Sequence, residues 1–274
     1  MGLAMKKSYQ WAAILSVLLA APSSSASAEE SIFGFVYTTD LLPEGGKEVE
    51  QWVTWRHQKI GGNFDQLEGR TEFEYGLASN LQAAVYLNYA WMQAYHNGPF
   101  GATTPSEQFS DFVAGPNDFF NGKRFVGVSG ELIYRILSPY TDGIGLALYT
   151  EPTLGQNFYE TENKIIVQKN FLDDLLTVAF NFTYAPEYRF LSDPADPTGI
   201  ARSWQEETDV NYGFAVSYRF IENWSAGFEF LNEHEYNSFN FTQESSVRSL
   251  IARFIRCCTS IIWAISSSLI EYPP

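Results

Sequence analysis

The sequence has little cysteine, few basic residues and no long apolar run beyond its N-terminus, and each shortage argues against a class of protein. Its two cysteines, Cys257 and Cys258, are adjacent, a spacing that gives neither a disulfide framework nor a metal site. Only 17 Lys and Arg stand against 32 Asp and Glu, so the basic patches that bind nucleic acid are not expected. No stretch of 18 clean apolar residues follows residue 28, which argues against a helical membrane protein.

The N-terminus has the pattern of a secretory signal peptide. Two lysines precede an apolar run at residues 11–21, and residues 26–28 have the small side chains of a cleavage site. An uncleaved anchor helix is the alternative, but the apolar run is too short to span a bilayer comfortably. We therefore expect cleavage after Ala28 and removal of residues 1–28, which leaves a chain of the size of one domain.

Beyond the signal, segments of about ten residues alternate between apolar and polar side chains, as in a strand with one apolar face. Residues 66–75 show this best, with Leu67, Phe73 and Tyr75 on one face and charged residues on the other. Aromatic residues make up 16% of the chain, and Tyr and Trp favour bilayer interfaces because their rings have an apolar and a polar end. Nine such segments are predicted as strands: residues 49–57, 66–76, 81–92, 124–137, 144–151, 159–169, 175–186, 204–219 and 224–235.

The lengths of the predicted connections alternate as well. Short turns follow the second, fourth, sixth and eighth strands, whereas long polar links follow the third and seventh, at residues 96–123 and 187–203. Outer-membrane barrels have short periplasmic turns and long external loops. The sequence therefore predicts an all-β fold over residues 29–243: an antiparallel up-and-down transmembrane β-barrel of the bacterial outer membrane. We expect a periplasmic N-terminus, nine recognisable strands and ten to twelve in the complete form, with a soluble periplasmic sandwich as the alternative.

Residues 244–274 depart from this pattern. A tenth strand could begin at residues 236–242, but from residue 245 onward the chain contains one acid, Glu271, and three arginines without clean alternation. Outer-membrane barrels typically close on a strand that ends in an aromatic residue, whereas this sequence ends in two prolines. We hypothesise that the reading frame shifts near residue 243, which sequencing of the gene would test.

Several segments resemble those of a known family. They are Leu42-Pro43-Glu44-Gly45, Glu50-Gln51-Trp52-Val53-Thr54, the run from Glu68 to Gly76, and residues 146–152 and 168–174. The stretch that holds them, residues 34–235, resembles a family of uncharacterised proteobacterial outer-membrane β-barrel proteins, and the residues after 243 do not. The resemblance implies a barrel fold and an outer-membrane location, and it implies no substrate.

The polar faces of the predicted strands would line the interior of such a barrel. Acidic residues outnumber basic ones on these faces, so a confined interior would concentrate cations. We therefore expect a passive, porin-like channel for small solutes, with a closed structural barrel packed by Glu–Arg networks as the alternative. The residues predicted to face the interior are Glu68, Arg70, Glu72, Glu74, Glu131, Arg135, Glu160, Glu162, Lys164, Glu187, Arg189, Glu207, Asp209, Arg219, Glu229 and Glu233.

Catalysis and metal binding have less support in the sequence. His96 opens a predicted external loop that also contains Asp111 and Asp118, and His234 ends a strand near the same rim, so a rim hydrolase is a further alternative. Glu233 cannot share a metal with His234, because neighbours in a strand point to opposite faces. We expect no enzyme activity, cofactor, metal or plug domain. The expected partners are outer-membrane lipid, the barrel-insertion machinery and small solutes.

Overall fold

The structure is a computed structural model that describes residues 32–59, 62–95, 109, 119–193, 195, 201–222, 224–241, 244–256 and 269–271, the last two ranges by their backbone alone. The predicted signal peptide, residues 1–28, lies outside the described residues. No helix in the described part of the chain is long and apolar enough to cross a membrane.

In the described residues, eleven strands follow one another through a single antiparallel sheet in chain order. They are β1 (Lys47–Lys59), β2 (Gly62–Ala78), β3 (Leu81–Tyr95), β4 (Phe119–Leu137), β5 (Gly145–Gly155), β6 (Phe158–Phe171), β7 (Leu176–Ser192), β8 (Arg202–Ile221), β9 (Trp224–Tyr236), β10 (Glu244–Arg256) and β11 (Leu269–Glu271). β1 to β9 correspond to the nine predicted strands, so the antiparallel all-β meander is confirmed. The sheet curls into a half-barrel, and within the described residues β1 and β11 form its two edges.

Several strands extend further toward the long links than alternation predicts. β4 begins at Phe119 instead of near residue 124, and β7 continues to Ser192 instead of 186. β7 and β8 pair to their far ends, where Ser192 lies opposite Arg202. Much of the predicted link at residues 187–203 is therefore a continued hairpin. Pairing of backbone N–H and C=O groups holds it where side-chain alternation has faded.

β10 lies in the segment whose reading frame we question. It pairs with β9 along its whole length, from Glu244 opposite Tyr236 to Arg256 opposite Trp224. A tenth strand thus returns along the ninth, but it begins at residue 244 and not at residues 236–242. Backbone pairing depends little on side-chain sequence, so it does not test the origin of the segment. The shifted frame stays a prediction.

Alternation separates a convex apolar face of the sheet from a concave polar one. In β2, Phe73 and Tyr75 are 49% and 41% exposed on the convex side, whereas Glu72 is 3% exposed on the concave side. In β3, Leu87 is exposed on the convex side while its neighbour Tyr86 is buried on the concave side. Large apolar side chains thus point outward and acids point inward, the reverse of a sheet that packs its apolar face on a core.

A bulge in β4 changes which residues face inward. The pairing of β3 with β4 shifts between Asn88 and Tyr89, where Val126 is the extra residue. Before the bulge, even-numbered residues such as Phe120 are buried on the concave side; after it, odd-numbered residues such as Glu131 are. A count of alternation straight through this strand would assign one half of it to the wrong face.

Candidate functional site

Eleven residues that precede the sheet, residues 32–42, run across its concave face, and we call them the strap. The strap forms no strand, so its backbone N–H groups depend on acceptors that the sheet supplies. Four concave side chains supply them in turn: Glu229 of β9, Asn181 of β7, Gln168 of β6 and Gln82 of β3. The strap therefore follows the inner wall of the half-barrel from one side to the other.

Glu229 holds the beginning of the strap. Its carboxylate accepts hydrogen bonds from the backbone N–H groups of Gly34 (2.7 Å), Phe35 (2.7 Å) and Val36 (2.9 Å). The residue is only 1% exposed, and three donors around one carboxylate compensate the loss of its water. An acid that the sequence predicts as an interior charge thus binds the backbone of its own chain.

Two amide side chains hold the middle of the strap. Asn181 accepts from the N–H of Tyr37 (2.6 Å) and donates to the carbonyl of the same residue (2.9 Å), as a neighbouring strand would. Gln168 Oε1 accepts from both the backbone N–H and the hydroxyl of Thr39, at 2.7 and 2.8 Å. Neither amide was singled out from the sequence, because alternation drew attention to charged residues only.

The end of the strap is fixed to the short-turn end of the sheet. Leu42 donates its N–H to Gln82 Oε1 at 2.7 Å. Arg135 donates to the carbonyl oxygens of Thr39 (3.2 Å) and Ser79 (2.6 Å), which joins the strap to the turn between β2 and β3. Arg135, predicted as an interior charge, is therefore a link between two segments of backbone.

Glycines make room for the strap and for the residues just after it. A Cβ on Gly145 would lie 2.3 Å from Thr39 Oγ1, and a Cβ on Gly76 would lie 2.2 Å from the carbonyl oxygen of Pro43. Both distances are too short for any real Cβ contact. Such small residues at inward positions of predicted strands are a signal in the sequence that another segment lies against the sheet.

Apolar side chains of the strap pack into two groups on the concave wall. The first group comprises Phe33 and Val36 with Ala179 and Ala215, joined by Ile32 and Leu231. The second comprises Ile133, Ala147, Tyr149 and Ile166, against which Tyr37 and Leu41 pack. No plug domain was expected from the sequence. The structure nevertheless places one short segment, the strap, against the concave wall of the interior.

Four acidic residues gather beside the strap, and we call them the acidic cluster: Glu50, Glu72, Glu74 and Glu131. One carboxylate oxygen from each of Glu50, Glu72 and Glu74 lies within 4.8 Å of the others. Glu131 occupies the same row of the sheet as Glu74, with Ala84 between them. All four line a cavity of about 830 Å³ between the strap and the sheet. Glu50 was not among the predicted interior residues.

Arg70 balances part of the charge of the acidic cluster. Its guanidinium lies 3.3 Å from Glu72, 4.6 Å from the ring centre of Tyr86 and 5.7 Å from that of Trp52. Tyr86 in turn donates a hydrogen bond to Glu131. The acidic cluster thus has four carboxyl groups and one guanidinium in contact with them.

A second charged group lies in the middle of the concave face. Lys164 pairs with Glu162, and its Nζ lies 4.2 and 4.3 Å from the ring centres of Tyr37 and Tyr149. Tyr149 donates to Glu151, an inward acid that was not predicted. Removal from water, reinforced by the charge of Glu131, raises the pKa of Tyr37 well above its usual value. Its phenol therefore stays protonated.

A third group lies nearer the long links. Arg189 bridges Glu187 at 2.6 Å and Glu207 at 3.0 Å, and both acids are buried. Glu160 lies opposite Glu187 in the pairing of β6 with β7. This group is a packed Glu–Arg network of the kind expected for a closed barrel.

The remaining predicted residues lie at the margins of the concave face. Glu68 pairs with Arg56 at 3.1 Å. Arg219 lines the cavity at the short-turn end. Asp209 and Glu233 lie on the concave sides of β8 and β9, opposite Ala185 and Asn211 respectively, away from the acidic cluster. The predicted interior residues thus separate into several groups and do not form one continuous charged surface.

An apolar cluster covers the interior toward the long links. It comprises Phe64, Ala90, Met92, Ala94, Phe109, Phe120 and Val126. Phe109 comes from the link between β3 and β4 and is fully buried, with its ring centre 5.6 Å from that of Phe120. We call this cluster the apolar cap, since it lies at the opposite end of the interior from the mouth of the cavity.

Most of the histidine constellation considered for a rim hydrolase lies outside the described residues, so the rim hydrolase stays an untested alternative. His96, Asp111 and Asp118 lie outside the described residues. His234 is paired with Val210 of β8, and its ring lies edge-on to that of the convex residue Tyr212, with centres 6.0 Å apart. Its side chain therefore lies on the face opposite to the interior acids.

The fold and the site together define a class of protein: a curled antiparallel sheet with an apolar convex face and a polar concave face crossed by its own N-terminal strap. The chain belongs to the Family of unknown function (DUF6662), whose family model matches residues 25–249. No curated protein matches the chain. The matched residues include the strap and β1 to β9, so the strap is part of the region that the family covers.

Proposed function

We propose that this chain forms a β-barrel in the bacterial outer membrane and acts as a passive channel for small solutes, with a preference for cations. The observation that carries the proposal is the inverted distribution of side chains. Residues such as Val85, Leu132 and Phe228 are between 43% and 49% exposed on the convex face, while Glu72 and Glu131 are buried on the concave face. A lipid environment makes that exchange favourable, because the apolar side chains then face hydrocarbon and the acids avoid it.

Aromatic residues on the convex face support a lipid location. Near the short turns they are Tyr75, Tyr134, Tyr218 and Trp224; near the long links they are Trp55, Trp91, Tyr159, Tyr188 and Trp204. In β3 the convex face runs from Leu81 to Trp91, about 34 Å at a strand rise of about 3.4 Å per residue. A strand tilt of about 45° reduces this to about 24 Å, the height of the apolar band of an outer-membrane barrel.

The preference for cations rests on the acidic cluster and the cavity that it lines. Carboxylates in a confined space of low dielectric concentrate cations and repel anions. The cavity is also lined by Arg135 and Arg219 at the short-turn end, but the acids Glu48, Glu50, Glu72, Glu74 and Glu131 outnumber them. Small cations entering from the periplasmic side would meet this surface first.

A closed structural barrel is the second candidate, and a specific observation favours it. The strap fills part of the interior on one side of the cavity, and the apolar cap covers the long-link end. A permeating ion would therefore have to pass both the strap and the apolar cap. The two candidates differ in one measurable property, the passage of ions through a single inserted molecule.

Conductance of the purified full chain in planar bilayers tests the proposal. A cation-preferring channel gives discrete current steps and a reversal potential that approaches about 59 mV in a tenfold KCl gradient. In the Glu72→Gln, Glu74→Gln double variant this potential should move toward zero, because two charges leave the interior. The Glu222→Gln variant, altered at an exposed turn, serves as the matched control. A silent membrane despite verified insertion would support the closed barrel instead.

A further inference from the structure

The acidic cluster has the donors and the spacing of a cation site built from oxygen ligands. One oxygen from each of Glu50, Glu72 and Glu74 lies within 4.8 Å of the others. Two ligands of one Ca²⁺ ion, each about 2.3–2.6 Å from the metal, lie at most about 5 Å apart. One ion can therefore contact all three carboxylates without a change in the strands. We propose that the acidic cluster binds a divalent cation of the size of Ca²⁺.

Glu131 provides a second, independent observation. The residue is 2% exposed, and while one of its oxygens accepts from Tyr86, Oε1 has no hydrogen-bond partner among the described residues. Burial of a carboxylate oxygen removes its hydrogen bonds to water, and without a donor in the protein this desolvation costs free energy that nothing compensates. In its row of the sheet only Ala84 separates it from Glu74, and the side chain lines the same cavity as the other three acids. A cation bound in this cavity would supply the partner that Glu131 Oε1 lacks.

The charge balance of the cavity points to the same ligand. Arg70 lies 3.3 Å from Glu72, and Arg135 is bound to two backbone carbonyls at the turn. The carboxyl groups thus have one guanidinium in contact, and a divalent ion that displaced their protons would supply the positive charge that the cluster lacks. Long, flexible Glu side chains tolerate the variable geometry of Ca²⁺ better than the strict octahedron of Mg²⁺. This inference goes beyond conduction, since a closed barrel could bind the ion equally well.

Terbium luminescence is the first test, because Tb³⁺ replaces Ca²⁺ and emits when a nearby indole is excited. Trp52 lines the cavity, and its Nε1 donates to Glu50 Oε2 at 2.7 Å, which places an indole at the site. The folded full chain in detergent should give Tb³⁺ emission that Ca²⁺ removes at much lower concentration than Mg²⁺. Ca²⁺ should also raise the melting temperature of the chain, because a ligand of the folded state stabilises it. Trp52→Phe should lose most of the Tb³⁺ emission and keep this rise.

Neutral variants identify the ligands. In the Glu72→Gln, Glu74→Gln double variant the affinity for Tb³⁺ should fall at least tenfold, and Glu131→Gln alone should also weaken it. Glu222→Gln, in an exposed turn, should bind as the original chain does. Without Ca²⁺, relief of repulsion in the double variant is opposed by loss of the Arg70–Glu72 ion pair, so ligand binding is judged from the affinity for Tb³⁺ and not from the melting temperature. A cooperative thermal transition of the double variant verifies that it has folded.

Two results would overturn the inference. One is Tb³⁺ emission that millimolar Ca²⁺ leaves unchanged; the other is equal affinity in the original chain and in the folded double variant. If instead the chain binds Ca²⁺ and conducts no ions, the inference stands and the channel proposal fails. If the chain conducts ions and does not bind Ca²⁺, the channel proposal stands and the inference fails, so the two failures are distinguishable.

Discussion

Replacement of Glu229 by Gln should release the strap from the concave face. The carboxylate accepts three backbone N–H groups, from Gly34, Phe35 and Val36, at 2.7–2.9 Å. Gln retains one acceptor oxygen and turns an NH₂ group toward at least one of these donors. The variant therefore loses the charge from every bond and leaves a donor unsatisfied in a site where the residue is 1% exposed.

The size of the effect follows from the individual bonds. Hydrogen bonds to charged groups contribute about 1.5–3 kcal/mol each, and an unsatisfied buried donor costs about 1–3 kcal/mol. Relief from burying a charge offsets part of this loss. The net cost to docking of the strap is then about 3 kcal/mol, or roughly a hundredfold in the docking equilibrium at about 1.4 kcal/mol per factor of ten.

Hydrogen exchange of peptides that cover residues 33–42 measures this equilibrium. Amides of the strap exchange when it undocks, so their protection should fall roughly a hundredfold in Glu229→Gln while the strands keep theirs. Glu233→Gln is the matched control, because it lies on the same face of β9 four residues further on and is exposed. Unchanged protection of the strap in a folded Glu229→Gln protein would refute the role given to this carboxylate.

Three other predictions concern the interior, the close packing and the convex face. Deletion of residues 32–42 should increase single-channel conductance several-fold in planar bilayers, and an unchanged conductance would exclude the strap as a constriction. Gly76→Ala, whose Cβ would lie 2.2 Å from the Pro43 carbonyl oxygen, should cost about 1–3 kcal/mol in thermal unfolding, whereas Gly130→Ala, with open space around it, should be neutral. Leu87→Arg should cost about 2–4 kcal/mol of folding into lipid vesicles and Leu77→Arg, nearer the short turn, about 0–1 kcal/mol. Equal tolerance of both substitutions would contradict contact with lipid.

The strands were predictable because their two faces meet different surroundings. The middle of β8 alternates most cleanly, since its convex residues over 210–220 are all aliphatic or aromatic and most of the concave ones between them are polar or small. The long-link ends were not predictable from the same signal. There β7 and β8 continue to Ser192 and Arg202 through backbone pairing, which leaves no periodic trace in the sequence. The sequence does not reveal the bulge at Val126 either, because one extra residue shifts the alternation to the other face without ending it.

The candidate site was predictable only in part, for a related reason. Alternation finds a charge on the inward face, but it does not reveal what that charge contacts. Glu229 and Arg135 read as pore charges, yet both bind backbone groups of other segments. Asn181 and Gln168 carry no charge and were passed over, although each makes two hydrogen bonds to the strap. The strap itself has no periodicity, and only the small residues opposite it mark its position.

The strap divides the concave face into two halves with different consequences. On β6, β7 and β9, its backbone satisfies the inward polar groups of Gln168, Asn181 and Glu229, so that half resembles a packed core. On β1, β2 and β4, the acidic cluster faces a cavity with too few cations to balance it. A packed half would be enough for stability alone, and an unbalanced acidic half adds electrostatic repulsion to the fold. The acidic half, and not the interior as a whole, is therefore where a solute or an ion is to be sought.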